Sequence, residues 1–480
     1  MKFSFIVPGP DIEVARSREE KVAGSCPPLG VLYLAAVLQQ AGVEVSVLDQ
    51  AAQGYSFEQT VKWIEKENPD ILGFSTLSIS GRTAAKIAEE AKRRNPNLKI
   101  VYGNHYATFN AERILAKYPQ VDIVVRGEGE ATVLELVKCI KKEDSLKKVL
   151  GITFRHKEKI VSTPSRPLIK NIDEIPFPDR SLLEAEYSFS LFDVQVAPRR
   201  FTTILSSRGC PYECKFCCCK NLFNRVWRAR TVKNVFEELN MLVSEGYRNF
   251  LFVDDSFTLN QKRVIELCQL IAKENWDIEW ICEGRVDHSS YEMLRNMVKA
   301  GCRLLYFGIE SANQRILDYY KKGITPQQAK EAVKKAKKSG MDIVVGSFIV
   351  GAPTETREEI INTLTFAQKI PIDIPQFNIL GAAPGMEIWE ELKRDGYLKN
   401  EEKYWETGLA VSMVHPKTLP YHEIRMMVQS YFKKFFLERP KFLLEQAART
   451  LTSSFRFNVV LHNIPRIRAI ANSLRNFSIS

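Results

Sequence analysis

Residues 202–219 read TTILSSRGCPYECKFCCC and join an apolar strand pattern to a cysteine-rich loop. Five of the ten cysteines of the chain lie within this stretch. A short apolar run that ends in serines and a glycine is typical of a buried strand leading into a loop. We therefore expect the loop after this strand to carry thiol chemistry.

The segments that follow repeat the alternation of strand and helix. Six runs between residues 199 and 395 have the apolar, β-rich character of strands: TTILSSRG, NFLFVDD, EWICEGR, RLLYFGIES, DIVVGSFIVG and PQFNILG. Helical patterns such as PQQAKEAVKKAKKSG separate them. Six β/α units predict a partial (β/α)6 barrel, in which a functional site lies where strands end and loops begin.

The first 145 residues contain a separate series of five β/α repeats. Its strand-like runs are KFSFIV, VEVSVLD, DILGFST, KIVYG and VDIVVRG. This series predicts a flavodoxin-like, doubly wound parallel sheet, which binds ligands beyond the carboxyl ends of its strands. Residues 146–198, with the hairpin pattern GITFRHKEKIVSTP and several prolines, are interpreted as a linker. Residues 396–480 are interpreted as a helical, basic C-terminal region.

Net positive charge is concentrated in the C-terminal region. The 480-residue chain has a net charge of +11, and residues 421–480 alone hold ten Lys and Arg against three Glu. One helical face of the region is apolar, formed by Ile424, Met427, Val428, Tyr431, Phe432 and Phe435. This pattern suits helices packed against the barrel, and it also suits a peripheral contact with a membrane surface. No nucleic-acid-binding module is recognisable, so we expect no nucleic-acid partner.

The chain has no signal-peptide pattern and no run of eighteen apolar residues. We therefore expect a cytoplasmic protein whose thiols remain reduced, and structural disulfides do not explain its cysteines.

Cys210, Cys214 and Cys217 have the spacing C-x3-C-x2-C. Closely spaced thiolates on a loop hold iron–sulfur clusters, and three thiolates on a four-iron cluster leave one iron open to another ligand. A zinc site is one alternative, but structural zinc usually takes four ligands in paired spacing, and no second CxxC pair or nearby His is present. A chance grouping of buried thiols is the other. Cys218 and Cys219 are interpreted as packed bystanders.

In these surroundings the motif resembles the cluster motif of the radical S-adenosylmethionine (SAM) superfamily. Phe216, before the last cysteine of the motif, matches the aromatic residue that this family favours against the adenine of SAM. VDD after the second strand, FGIES after the fourth and FIVGAPTE after the fifth extend the resemblance over about residues 199–395. The chain has Pro353-Thr354-Glu355 where the family usually has Gly-Glu-Thr.

The first 145 residues resemble the cobalamin-binding domain of B12-dependent radical SAM enzymes. The similar stretches are PPLGVLYLAAVLQQAGVEVSVLD, YGNHYATF and VDIVVRGEGEATVLEL. The family often has Gly-Gly before the histidine of the second stretch, where this chain has Gly103-Asn104. The loop after the first strand, PGPDIEVARSREEK, contains no histidine, so we expect a bound cobalamin to lack a histidine lower ligand.

The resemblance implies a 4Fe-4S cluster, SAM and cobalamin as cofactors. Cys210, Cys214 and Cys217 are the implied catalytic and metal-binding residues. Reductive cleavage of SAM on the cluster would give a 5′-deoxyadenosyl radical that takes a hydrogen atom from an unactivated carbon. The other predicted cofactor contacts lie near the motif or at strand ends: Phe216, Asp254, Arg285 and Glu310 toward SAM, and Ser75, Thr76, Gly103, Asn104, His105 and Glu128 toward cobalamin. Structural ion pairs are the alternative for the charged residues toward SAM, and ordinary loop chemistry is the alternative for the residues toward cobalamin.

The predicted function is a cobalamin-dependent radical SAM methyltransferase that acts on a hydrophobic small molecule, with lipids and tetrapyrroles as candidate classes. Its electron donor would be a low-potential protein of the flavodoxin or ferredoxin type. The enzymatic alternative is oxidative ring closure with the same cofactors. The non-enzymatic alternative is a cobalamin or redox sensor.

Overall fold

The structure is a computed structural model that describes residues 1–10, 26–192, 194–398, 401, 404 and 415–466. It contains two compact units. The first is Met1–Glu186, to which Glu401 and Tyr404 also belong, and the second begins at Tyr187 and includes the C-terminal helices. Over the described ranges, no helix has both the length and the apolar character needed to cross a membrane.

The first unit is built on a seven-stranded sheet. Its strands are β1 (Lys2–Val7), β2 (Glu44–Asp49), β3 (Ile71–Ser75), β4 (Lys99–Gly103), β5 (Ile123–Val125), β6 (Ile152–His156) and β7 (Lys159–Ser162). Their order is β2-β1-β3-β4-β5-β6-β7, and the first five strands run parallel. The order 2-1-3-4-5 is the flavodoxin-like arrangement, which confirms the predicted doubly wound sheet.

The hairpin β6–β7 pairs antiparallel with β5 and extends this sheet by two strands. The sequence predicts this hairpin as part of the linker, because an alternating pattern indicates a hairpin but not the strand with which it pairs. The first unit therefore continues to Glu186, past residue 145, where the sequence predicts its end.

Among the described residues of the first unit, six helices flank the sheet. They are α1 (Leu29–Gln40), α2 (Phe57–Glu67), α3 (Gly81–Arg94), α4 (Asn104–Phe109), α5 (Ala111–Lys117) and α6 (Glu130–Lys141). The start of α2 is fixed by a capping box, in which the Ser56 hydroxyl accepts from the Gln59 N–H and the Gln59 side chain accepts from the Ser56 N–H. In the core, a Cβ at Gly73 would lie 2.7 Å from the Phe3 ring, so this glycine allows Phe3 and Phe5 to stack.

The second unit is built on six parallel strands that follow one another in chain order. They are β10 (Phe201–Ile204), β13 (Asn249–Phe252), β14 (Glu279–Gly284), β15 (Cys302–Glu310), β16 (Ile343–Val350) and β17 (Ile374–Ile379). Every neighbouring pair is parallel, and β10 and β17 form the two ends of the order. The sheet is therefore a partial barrel, as predicted.

Two short antiparallel hairpins accompany the barrel. β8 (Ser190–Leu191) pairs with β9 (Val194–Gln195), and β11 (Ser207–Arg208) pairs with β12 (Arg228–Ala229).

Within the described residues, the helices of the barrel lie between its strands, except for the last one, which follows β17. They are α7 (Cys219–Phe223), α8 (Val232–Ser244), α9 (Gln261–Lys273), α10 (Tyr291–Lys299), α11 (Gln314–Tyr319), α12 (Pro326–Lys338), α13 (Arg357–Lys369) and α14 (Glu387–Arg394). Their apolar faces enclose a core that includes the fully buried Trp280, whose indole N–H donates to the Ala300 carbonyl at 2.7 Å.

Residues 415–466, which the structure describes, contain three α-helices. They are α15 (Tyr421–Leu437), α16 (Pro440–Thr452) and α17 (Ser454–Asn463). α15 buries Ile424, Val428, Phe432 and Phe435, which confirms the core of the predicted apolar stripe. The buried carboxylate of Asp373 anchors the other two helices, because it pairs with Lys337 at 2.7 Å, Arg449 at 2.7 Å and Arg456 at 2.8 Å.

Candidate functional site

The cysteine loop follows β10 and the short β11 at the carboxyl end of the barrel sheet. Its first residue, Gly209, has a φ of +87°, and a Cβ there would lie 2.2 Å from the Val226 carbonyl oxygen. Only glycine tolerates both conditions. The Gly209 N–H donates to the Asp255 carboxylate at 2.8 Å. The conformation of Gly209 and its hydrogen bond to Asp255 therefore fix the direction in which the loop leaves the sheet.

The three cysteines of the motif lie in different electrostatic surroundings. Cys214 is buried and Cys210 is partly buried, and burial raises the pKa of both thiols. A hydrogen bond from the Cys219 thiol lowers the pKa of Cys217 to about 7. The Cys219 N–H adds a second donor at 3.4 Å from the Cys217 sulfur. Because thiolates are the ligands of iron, these donors favour the ligating form of Cys217.

The thiols of Cys214 and Cys217 lie near enough to Cys210 to help raise its pKa, and closely spaced thiolates on one loop are typical ligands of an iron–sulfur cluster. Among the described residues, no three His, Cys, Asp or Glu side chains are arranged to hold one metal ion. The ligands of a zinc site converge on one point about 2.3 Å from each sulfur, whereas a cluster takes its thiolates on separate irons. Positive charges at Lys322 and Arg285 also favour the thiolate of Cys214.

Cys218 and Cys219 differ in their surroundings. Cys219 is buried at the start of α7, as expected of a packed residue, and it also donates to Cys217. Cys218 is half-buried, and burial raises the pKa of its thiol to about 11. The interpretation of both residues as bystanders remains a prediction.

Glu310 ends β15 in a strained conformation. Its φ is +65°, and the register between β15 and β16 shifts between Gly308 and Glu310. The carboxylate pairs with the Lys322 ammonium at 2.6 Å, and the two side chains are 7% and 8% exposed. Backbone strain and a buried ion pair at a strand end are typical of functional sites. Lys322 was missed from the sequence, because in DYYKKGITP it reads as part of a polar turn.

Arg285, after β14, holds the cysteine loop through an aromatic residue. Its guanidinium lies 3.5 Å from the ring centre of Tyr212, which stands between the first two cysteines of the motif. Asp287 accepts two hydrogen bonds from the same guanidinium, each at 3.0 Å. The Tyr212 hydroxyl bonds the His288 ring. A contact of Arg285 with SAM remains a prediction.

Asp254 is buried and organises the junction of β10 and β11. Its carboxylate accepts from the Ser206 N–H at 2.7 Å and from the Ser206 and Ser207 hydroxyls at 2.6 Å each. Burial raises the pKa of this carboxyl. The side chain is thus engaged with the strand end, and its predicted contact with SAM is untested.

Phe216 packs edge-on against Tyr320, with ring centres 5.3 Å apart. The Lys322 ammonium lies 5.9 Å from the Phe216 ring centre, so this aromatic residue adjoins the buried ion pair. Its predicted contact with adenine also stays a prediction.

Glu355 lies in the loop after β16 and is another buried carboxyl of the barrel. One oxygen accepts from the Gly351 N–H at 2.6 Å and the Ala352 N–H at 3.1 Å. The other oxygen is buried without a hydrogen-bond partner in the described chain. Burial raises the pKa of Glu355 to about 7.

In the first unit, the ends of β3 and β4 bring several predicted residues together. The Asn104 amide donates to the Ser75 hydroxyl at 3.0 Å, and its carbonyl oxygen lies 2.7 Å from the His105 ring. Thr76 donates from its hydroxyl to the Gly103 carbonyl at 2.9 Å. Asn104 has a φ of +80°, a conformation that favours glycine and that Asn tolerates better than most residues.

This crevice has open space with both polar and apolar side chains beside it. A Cβ at Gly103 would meet no atom within 4 Å, so space is open beside the end of β4. Leu77 and Ile79, just after Thr76, are 38% and 39% exposed. Burial lowers the pKa of His105, which keeps its ring neutral at pH 7. These features suit a corrin ring. Glu128 has a different partner, because its carboxylate accepts from the Ile169 N–H at 2.8 Å.

Comparison with known proteins gives two domain matches and relatives that align over most of this chain. Residues 204–367 match the model of the radical SAM superfamily, and residues 19–137 match that of the B12 binding domain. The chain is 37% identical to PH0819, an uncharacterized methyltransferase of Pyrococcus horikoshii, over 93% of this chain and 94% of that protein. It is 30% identical to the anaerobic magnesium-protoporphyrin IX monomethyl ester cyclase of Rubrivivax gelatinosus, over 87% of this chain and 75% of the cyclase.

A solved structure has the same fold. The radical SAM methyltransferase TsrM from Kitasatospora setae, with cobalamin and a [4Fe-4S] cluster bound, aligns with a TM-score of 0.67. The alignment covers 82% of this chain and 75% of that one, at 16% sequence identity. At this identity the similarity concerns the fold.

Proposed function

The chain belongs to the radical SAM superfamily, among members with an N-terminal B12 binding domain, and we propose that it methylates an unactivated carbon of a hydrophobic small molecule. The observation that carries this proposal is the cysteine loop at the carboxyl end of a partial barrel, preceded by a flavodoxin-like unit with an open crevice. When bound, the cluster and SAM supply the radical chemistry, and cobalamin supplies the methyl group.

The residues of this chain have distinct parts in the proposal. Cys210, Cys214 and Cys217 would hold the cluster, which would supply the electron for the cleavage of SAM. Glu310 and Lys322 provide a carboxylate and an ammonium at the strand end, where the charged groups and ribose hydroxyls of SAM could pair with them. In the first unit, Ser75, Asn104 and His105 offer polar contacts to the edge of the corrin.

Oxidative ring closure is the second candidate, and the identity to the Rubrivivax gelatinosus cyclase favours it specifically. The two reactions differ in their products. Methylation adds a methyl group that originates from SAM, whereas ring closure removes hydrogen and adds no methyl group.

The test is anaerobic incubation with methyl-labelled SAM, a strong reductant and an extract fractionated into lipids and tetrapyrroles. We expect 5′-deoxyadenosine and label in one hydrophobic product, and neither with the triple variant Cys210→Ala/Cys214→Ala/Cys217→Ala. An unlabelled, dehydrogenated product would favour the cyclase. An intact cluster that forms no 5′-deoxyadenosine would contradict both reactions and favour a sensor.

The electron donor is proposed to be a low-potential protein of the flavodoxin or ferredoxin type, because cluster reduction proceeds by single electrons. Reduced flavodoxin or ferredoxin should replace the chemical reductant in 5′-deoxyadenosine formation. Activity with the chemical reductant but with neither protein would exclude this class of donor.

A peripheral contact with anionic membranes is proposed for the outer faces of α16 and α17. Leu444 and Leu451 are 72% and 79% exposed, and Val460 and Ile464 are each 50% exposed. Lys433 and Lys441 are exposed in the same region, whose net charge is +7 between residues 421 and 480. Apolar helix faces beside basic side chains bind the interface of anionic bilayers, and each basic residue near the surface contributes about 1 kcal/mol.

Co-sedimentation with phosphatidylglycerol vesicles tests this contact. We expect salt-sensitive binding that the variant Leu444→Asp/Leu451→Asp weakens and that Phe57→Asp, at an exposed apolar residue of the first unit, does not. Equal binding by all three proteins, or none at low salt, would contradict the proposal.

A further inference from the structure

The cysteine loop is connected to one helix, α14, by a set of contacts that the cluster motif does not include. Lys215 lies between the second and third cysteines of the motif, and Lys220 lies in α7 directly after them. Both side chains reach toward Glu387 and Glu391, which are one turn apart on α14.

The backbone of Lys215 is fixed on both sides. Its N–H donates to the Tyr320 carbonyl at 3.0 Å, and its own carbonyl accepts from the Ile388 N–H at 3.2 Å. Ile388 lies in the first turn of α14, where N–H groups have no partner within the helix. The Lys215 carbonyl therefore accepts from an N–H that has no partner within α14. The same hydrogen bond holds the cysteine loop against the start of this helix.

The side chains add ion pairs to this backbone contact. The Lys215 ammonium lies 2.8 Å from the Glu391 carboxylate, and the two side chains are only 15% and 17% exposed. Glu387 pairs with Lys220 and, at 2.7 Å, with Lys321. Next to them, the Asn221 amide donates to the Gly385 carbonyl at 2.8 Å.

We infer that Glu387 and Glu391 of α14 are positioning residues, which hold the Cys214–Cys217 half of the loop in the geometry that the cluster requires. The inference rests on the proposed function, because it assumes a cluster on this loop. Partly buried ion pairs keep more of their attraction than exposed ones, since water screens them less. Groups that orient the ligands of a metal site commonly change metal affinity or activity by roughly tenfold or more when they are removed.

The test compares cluster retention and the cluster spectrum in charge variants of the full-length protein. Glu391→Gln keeps the size of the side chain and removes its charge. We expect the rate of iron loss to a chelator to rise roughly tenfold, with an altered electron paramagnetic resonance spectrum of the reduced cluster. The exchange Lys215→Glu/Glu391→Lys should restore both properties, because it re-forms the ion pair in the opposite sense.

A matched control uses Glu331 and Lys334 of α12, an exposed pair 3.2 Å apart in the same unit. Glu331→Gln should leave the rate of iron loss and the spectrum unchanged. If Glu391→Gln also retains iron like the wild type with an identical spectrum, the positioning role is wrong. A wild-type protein that takes up no cluster would instead contradict the proposed function itself.

Discussion

At the scale of single residues, Gly209 controls the path of the cysteine loop through both its backbone conformation and its closeness to Val226. In the sequence this glycine is recognisable only as the end of a strand pattern, because a φ of +87° and a contact between distant backbone atoms leave no local pattern. The motif cysteines themselves are recognisable, since their ligand spacing lies within eight residues of sequence.

The variant Gly209→Ala should lose the cluster while the rest of the second unit stays folded. The left-handed backbone alone costs about 1–3 kcal/mol for a residue with a Cβ, and the contact with the Val226 carbonyl adds to it. Gly246→Ala is the control, because φ there is +89° but the nearest atom to a new Cβ lies at 3.7 Å. Iron content measures the loss of the cluster, and circular dichroism measures whether the protein stays folded. Equal loss of iron in both variants would show that the contact is irrelevant.

Glu355 gives the barrel a pH-dependent stability. Its pKa is about 7 in the folded protein and near 4.5 when unfolded, so the folded state binds more protons between these values. Stability therefore falls as pH rises from about 4.5 to 7 and changes no further from this group above that range. The size of the effect is about 3 kcal/mol.

Glu355→Gln should remove that dependence and stabilise the protein at pH 8, since the amide oxygen can still accept from Gly351. Thermal unfolding of the variant and the wild type at pH 5 and pH 8 measures the difference. If the variant and the wild type differ in unfolding temperature by the same amount at pH 5 and at pH 8, Glu355 is not a buried, neutral carboxyl.

At the scale of elements, the strands were predictable because apolar runs and their spacing are local properties. The pairing of elements was less predictable. The hairpin β6–β7 is recognisable in the sequence, but its pairing with β5 is not. The ion pair between Glu310 and Lys322 was missed for the same reason. Twelve residues separate its members, and only the fold brings them together.

Asp373 should determine how firmly α16 and α17 are attached to the barrel. Asp373→Asn leaves three cations without their shared carboxylate, and breaking a buried ion pair costs about 3 kcal/mol or more. We expect faster proteolysis and faster amide exchange in both helices. Asp277→Asn is the control, because the Asp277 side chain is 89% exposed and its pair with Arg199 contributes at most about 1 kcal/mol. Unchanged exchange in the Asp373 variant would refute the anchor.

At the scale of the whole molecule, two sheets of different function follow one another in the chain, and their β/α rhythm was sufficient to predict both. The roles of Asp254, Arg285 and Glu310 could not be assigned in the same way. Each engages another residue of the chain in the structure, so a strand-end position alone does not distinguish a ligand contact from a structural pair.

The central claim is that Cys210, Cys214 and Cys217, and no other cysteines, hold a four-iron cluster. The most direct measurement is iron and sulfide per chain after anaerobic reconstitution. We expect about four of each in the wild type and in Cys218→Ala/Cys219→Ala, and almost none in the triple variant of the motif. A full cluster in the triple variant, or its loss in the Cys218/Cys219 variant, would contradict the account.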